Sequence, residues 1–228
     1  MLRVVICPGV NPPELTQSFC REVQAVWPID RSPPVFWVVP PTVPPFSPCH
    51  QWNWLRHQLR AEGWGDGGDW TGSQKNSVKA VGQRTASREK ASREKASRSA
   101  GILPPLVPRS SPPLPRLTWI AFSAGVVGAL GCAQGWRWRG GTVQGLYALD
   151  GWGMPVLGDF PVYRLSHDRF THVTSAWLGT GRVSFYADPP VTHWDLWRSP
   201  AQVLGWQVSQ GKQRQTAAEF IVAQLLRY

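Results

Sequence analysis

Several scarcities narrow the class of this 228-residue chain. It has four cysteines, Cys7, Cys20, Cys49 and Cys132, and no C-x-x-C pair. Cys7, Cys20 and Cys132 sit in apolar contexts, so buried free thiols are expected rather than a zinc site or a disulfide framework. The N-terminus shows no charged n-region, apolar h-region or small-residue cleavage site, and the expected location is the cytoplasm. Long apolar runs are also lacking. Leu117 to Ala133 is the one candidate, and it falls short of the ~20 residues that a membrane span needs. No transmembrane span is expected. Acidic residues number 14 against 24 lysines and arginines, for a formal charge of +10. The excess is uneven: Lys75 to Ser99 holds +6 of it. The remainder is ordinary for a soluble domain, so the high pI belongs to one segment and not to a binding face.

That segment is part of a longer stretch, Gly65 to Pro115, which differs in kind from its flanks. It starts rich in Gly and Asp, turns basic, carries the repeat ASREK-ASREK-ASR from Ala86 to Arg98, and ends in prolines. It has little to bury, so a disordered insertion in a surface connection is expected within a single domain spanning residues 1–228. No aromatic residue is interleaved among the repeats for base stacking, which weighs against nucleic acid as the partner.

Outside the insertion, β-runs alternate with helical patterns. Leu2 to Cys7 is an apolar β-run stopped by Pro8-Gly9. Asn11 suits an N-cap, Pro12 a first helical position and Glu14 a capping-box position. Leu15, Phe19, Val23 and Val26 then recur at helical spacing. Val35 to Val39 is a second strand, apolar without alternation, as in a sheet covered on both faces. Ser47-Pro48 opens a helix with Trp52, Leu55 and Leu59 on one face. Further strands are expected at 117–122, 143–149, 161–166 and 183–187. A short helix is expected over Phe170 to Leu178, and another from Ser199-Pro200 through Val203 and Trp206. Thr216-Ala217-Ala218-Glu219 is a capping box for the last helix. This order predicts an α/β fold with a mostly parallel sheet of about six strands and helices on both faces. Ligands of such sheets sit at the carboxyl ends of the strands.

The stretch that organises the chain is Leu117 to Gly131, LTWIAFSAGVVGALG. A buried strand leads to Ser123 between small residues, and a small-residue helix follows. That is the plan of a nucleophile elbow, with Ala121 standing where Gly-x-Ser-x-Gly has its first glycine. An apolar helix, glycines that serve only helix packing, and an ordinary turn serine are the competing readings. The loops after the strands decide among them. They carry Pro8-Gly9-Val10-Asn11, then Ser123, Asp150, Asp168 and His193. A serine needs a base to take its proton, the base needs a carboxylate to hold its tautomer, and the oxyanion needs N–H donors. Ser123 is the candidate nucleophile and His193 the candidate base. The acid is Asp168, after the fifth strand, or Asp150, after the fourth, with Asp168 preferred. The amides of Ala124 and Val10 are the candidate oxyanion donors. His167 and His172 flank Asp168, but two histidines and one carboxylate at those spacings point to polar packing rather than to a metal. No metal or cofactor is expected.

These residues carry a family resemblance. Cys7-Pro8-Gly9 with Glu14-Leu15-Thr16, the FSAGVVGA of Phe122 to Ala129, the LDGWG of Leu149 to Gly153, and the ADPPV-x-H-x-DLWRSP of Ala187 to Pro200 make the chain resemble a reduced α/β-hydrolase. In detail it is similar to small hydrolase-like proteins with the same segments. The resemblance covers most of the chain except Gly65 to Pro115. It implies that the first two strands of the full fold are missing, and that Asp168 stands where such enzymes most often keep their acid. Asp150 stands where some do. It implies a serine hydrolase of the esterase or thioesterase kind, acting on an ester or thioester of a small-molecule or acyl substrate. Little intervenes between Asp150 and Phe160, so a large cap is missing. The site is then open, or walled by Trp152, Trp177, Trp194 and Trp197. A different outcome is also open: a non-catalytic binding or scaffold protein of the same fold, whose basic insertion contacts an anionic partner. The missing strands, Ala121 and the lack of a His-Gly oxyanion motif favour it.

Overall fold

A computed structural model of the chain describes residues 1–64, 114–151, 155, 158–179, 181, 183–209 and 211–228. The expected insertion therefore lies outside the described residues, apart from Leu114 and Pro115.

Among the described residues the elements are, in order, β1 (Arg3–Cys7), α1 (Pro13–Ala25), β2 (Val35–Val38), α2 (Pro48–Ala61), β3 (Arg116–Phe122), α3 (Gly125–Trp138), β4 (Thr142–Leu149), β5 (Val162–Ser166), α4 (Arg169–Ala176), β6 (Val183–Ala187), α5 (His193–Arg198), β7 (Leu204–Val208), β8 (Lys212–Thr216) and α6 (Ala217–Leu225). The strands form one sheet in the order β2-β1-β3-β4-β5-β6-β7-β8. β1 to β6 are mutually parallel, and β7 and β8 close the sheet as an antiparallel pair. The sheet thus has eight strands where about six were expected. The helix expected through Val203 and Trp206 is instead the strand β7, and a second strand, β8, lies between it and the capping box at Thr216. A pair of apolar residues three apart is too short a period to separate helix from strand. Gly205 also argues for a sheet: a side chain there would meet the Tyr186 carbonyl at 2.2 Å on the neighbouring strand. The β8 edge carries exposed Lys212 and Arg214, which discourage further strand pairing.

Strand side chains alternate between two cores, because successive residues face opposite sides of a sheet. Val5, Cys7, Trp119, Ala121, Leu146 and Ala148 pack with Trp52 and Leu55 of α2 and with Ala133 and Trp136 of α3. Val4, Ile6, Ile120, Phe122, Tyr147 and Leu149 pack with Phe19 of α1, Trp197 of α5 and Phe220 of α6. Helices do cover both faces. The Thr216–Glu219 capping box is present at α6, whereas α1 takes Pro12 as its N-cap with no side-chain cap bond. Asn11 accepts from the Thr16 hydroxyl instead. Cys7, Cys20, Cys49 and Cys132 are free thiols. Burial pushes the Cys20 thiol up to about 11 and Cys132 up to about 12, far from the thiolate form that reacts. Among the described residues, no helix is long and apolar enough to cross a membrane.

The order β2-β1-β3 places the functional end. From β1 the chain goes to one side, and after β2 it returns to build β3 on the other side. Loops leaving β1 and β3 therefore diverge and open a crevice at their carboxyl ends.

Candidate functional site

Ser123 stands at that crevice, one residue beyond β3. Its φ is +52°, a left-handed conformation that a non-glycine residue adopts at a cost of roughly 1–3 kcal/mol. The turn is held by its surroundings: the Ser123 amide donates to the Leu149 carbonyl at 2.9 Å, and the Ser123 carbonyl accepts from Val126 at 3.1 Å. The helix that follows must lie against β1. A side chain at Gly125 would sit 2.3 Å from the Cys7 carbonyl, so only glycine fits. The small residues around Ser123 are thus a steric requirement of a sharp strand–turn–helix junction.

The loop after β1 abuts this turn. A side chain at Gly9 would come 3.1 Å from the Ser123 Cβ and 3.4 Å from the Ala124 nitrogen. Among the described residues, neither the Ala124 amide nor the Val10 amide donates to a protein acceptor. Unspent N–H groups next to a nucleophile are what a developing oxyanion requires; Ala124 follows Ser123 directly, and Val10 follows the Gly9 that packs on it.

Asp150 follows β4 and is 7% exposed, with φ at +50°. Its Oδ2 lies 2.9 Å from His193 Nδ1 and 3.0 Å from His167 Nδ1. Its Oδ1 accepts from the His167 backbone N–H at 3.0 Å. Burial alone would raise the carboxyl, but the hydrogen bonds from His167 and His193 outweigh it and hold Asp150 below the usual carboxylate range. The same bond to Asp150 raises His167, against the opposing effect of its partial burial. With Nδ1 given to Asp150, His193 presents Nε2 as its free ring nitrogen. The ring is stacked on Phe122, centroids 4.4 Å apart, directly beside Ser123 in sequence. No hydrogen bond joins the Ser123 hydroxyl to an imidazole among the described residues.

The structure matches neither known family models, nor curated proteins, nor solved structures.

The geometry joins Asp150 to His193, stacks His193 on Phe122, the residue before Ser123, and packs Gly9, the residue before Val10, against Ser123 and Ala124, and it leaves Asp168 out. The Asp168 carboxylate is the N-cap of α4, accepting the Thr171 N–H at 2.6 Å, and its nearest imidazole is His167, at 3.7 Å. The preference for Asp168 over Asp150 is therefore corrected: the side chain is committed to starting a helix. Asp188 is committed too, accepting from the Trp206 indole at 2.7 Å. His193 begins α5, with Thr192 as the N-cap, where a loop was expected. Of the four tryptophans proposed as walls, Trp197 is buried in the core against Phe19 and Phe122, Trp177 is exposed, and Trp194 stands edge-on to His193. Trp152 lies outside the described residues.

His167 is the participant that sequence reasoning passed over. Its spacing beside Asp168 and His172 predicts polar packing, but it is the first residue beyond β5 and so stands at a strand end like the others. Asp150, His167 and His193 offer ligand atoms within 4.8 Å of one another, a set that could hold a divalent cation. Both imidazoles, however, direct Nδ1 at one carboxylate oxygen at hydrogen-bond distance, and the second oxygen is taken by a backbone N–H. The arrangement reads as a carboxylate that orients two imidazoles.

Proposed function

We propose that the protein is a serine hydrolase of reduced α/β-hydrolase type that cleaves an ester or thioester. The observation that carries this reading is the His193–Asp150 hydrogen bond, with His193 stacked on Phe122, the residue before a serine held at positive φ. Ser123 attacks the acyl carbon while His193 Nε2 takes the hydroxyl proton. Asp150 keeps the imidazole in the required tautomer and stabilises the imidazolium. The Ala124 and Val10 amides receive the oxyanion. His193 then returns the proton to the departing alkoxide or thiolate, and water, deprotonated by the same nitrogen, releases the acyl group from Ser123. The chain order Ser, Asp, His agrees with that hydrolase class. In serine enzymes without substrate, the bond from hydroxyl to base is commonly long and tightens in the complex.

The test is labelling of the intact protein by a fluorophosphonate, with the modified residue located by mass spectrometry. The expected outcome is modification at Ser123, lost in Ser123→Ala and in His193→Ala. A wild-type protein that stays unlabelled, or a Ser123→Ala variant that labels equally, overturns the reading.

A further inference from the structure

A cleft of about 570 Å³ lies beside the proposed nucleophile, between the first turns of α1, the edge strand β2 and the proline-rich loop that follows β2. It falls within the 300–1,000 Å³ range of small-molecule sites. Its inner end is the Pro8-Gly9-Val10 loop, and Gly9 is the residue packed against Ser123 and Ala124. Its walls are mostly apolar: Phe36, Val38 and Val43 with several prolines. Val38 and Val10 are 42% and 74% exposed, so apolar surface faces open space where a core would ordinarily cover it. One polar group at the inner end lacks a partner. The Asn11 side-chain amide nitrogen is buried and makes no hydrogen bond, while its oxygen is used by Thr16.

We infer that this cleft binds the acyl chain of the substrate, and that the chain is an aliphatic one. The inference rests on the serine-hydrolase reading for its placement of the ester carbonyl at Ser123. The chain would run from Ser123 past Gly9 and along α1 towards Cys20. At about 30 Å³ for each methylene-sized group, the 570 Å³ cleft has room for up to about 19 of them, so a ten-carbon acyl chain fits within it. Linear aliphatic acyl groups gain from such walls with each carbon.

The experiment has two independent arms. In the first, kcat/KM is measured across p-nitrophenyl acetate, butyrate, hexanoate, octanoate and decanoate for wild type and Val38→Trp, which fills the cleft from the exposed edge of β2. The wild type is expected to gain about threefold per added methylene, and the ratio of decanoate to acetate rates is expected to fall at least tenfold in Val38→Trp. A wild-type series that is flat from acetate to decanoate, with the serine still labelled by fluorophosphonate, overturns the cleft while leaving the hydrolase reading in place. In the second arm, sodium decanoate is titrated calorimetrically into wild type and Val38→Trp, which needs no turnover. If Ser123 fails to label, the hydrolase reading falls. The cleft then survives as a binding site only if decanoate binds the wild type and is weakened at least tenfold by Val38→Trp. Binding that is undetectable or equal in both proteins overturns it.

Discussion

Replacing Asp150 by asparagine tests the site most directly, because three hydrogen bonds converge on one side chain. The carboxylate accepts from His193 Nδ1, His167 Nδ1 and the His167 backbone N–H. Asparagine has one oxygen and one NH2 group for these three donors. With its oxygen towards the imidazoles, the NH2 faces the His167 backbone N–H, and that buried bond is lost along with the charge. With its NH2 towards the imidazoles, both rings must surrender the proton on Nδ1, and His193 then carries its proton on Nε2 and cannot act as a base. Loss of a charge-assisted bond and exposure of one unpaired donor together come to about 2–4 kcal/mol of stability. The wrong tautomer costs ~10⁴ in rate where a triad aspartate is so replaced. The assay is the second-order rate of fluorophosphonate labelling at Ser123, which needs no knowledge of the substrate, with thermal denaturation to follow stability. Asp168→Asn is the matched control. It alters a helix N-cap and is expected to lose at most ~1 kcal/mol of stability, asparagine being itself a good cap, with labelling within a few-fold of wild type. An Asp150→Asn protein that labels within tenfold of wild type refutes the role of Asp150. So does an Asp168→Asn protein that falls as far as Asp150→Asn.

Three further outcomes follow from the same geometry. Ser123→Gly relieves the positive φ and is expected to be about 0.5–1 kcal/mol more stable than Ser123→Ala in urea denaturation, though equally unlabelled; equal stability would show that the turn stores no strain. Gly125→Ala places a methyl group 2.3 Å from the Cys7 carbonyl and is expected to lower stability by about 2–4 kcal/mol, and a change below 0.5 kcal/mol would show that α3 stands off from β1. His167→Ala changes the pH dependence of stability. The raised His167 contributes fully below its unfolded value of about 6.5 and loses that contribution as pH rises through its folded value, while the depressed Asp150 contributes above about 3.9 and loses its part as pH falls through its lower folded value. The stability gap between wild type and His167→Ala is therefore widest between about pH 4 and pH 6.5, measured by urea denaturation across pH, and a gap that widens towards alkaline pH refutes the pairing.

Local signals were enough for most of the sheet. Leu2 to Cys7, Val35 to Val39, Leu117 to Phe122, Val143 to Leu149 and Val183 to Ala187 are apolar or β-branched runs bounded by turn residues, and each became a strand. They are legible because a strand buried on both faces needs nothing but apolar side chains along its length. The Thr216–Glu219 capping box is legible for a similar reason: both partners lie within one turn of the chain. The β7–β8 pair was not legible, since Leu204 to Val208 has only a weak pattern and β7 is held in the sheet by β6, from which α5 separates it in the chain.

The candidate site divides along the same line. Ser123 could be singled out from its neighbours alone, because the strand, the small flanking residues and the helix that force its conformation are contiguous with it. Which carboxylate meets His193 could not. Asp150 and Asp168 each follow a strand and look equivalent in the chain, and their difference lies in what competes for each. Thr171, three residues on, claims Asp168 for a helix start, while Asp150 is left buried where β4, β5 and the loop before α5 converge. His167 joins the site for that reason too, since a carboxylate held in the sheet end accepts from whichever imidazoles the neighbouring strands deliver. Short-range steric and capping demands are written in the order of residues; the choice among equivalent charged groups is made by packing between segments distant in the chain.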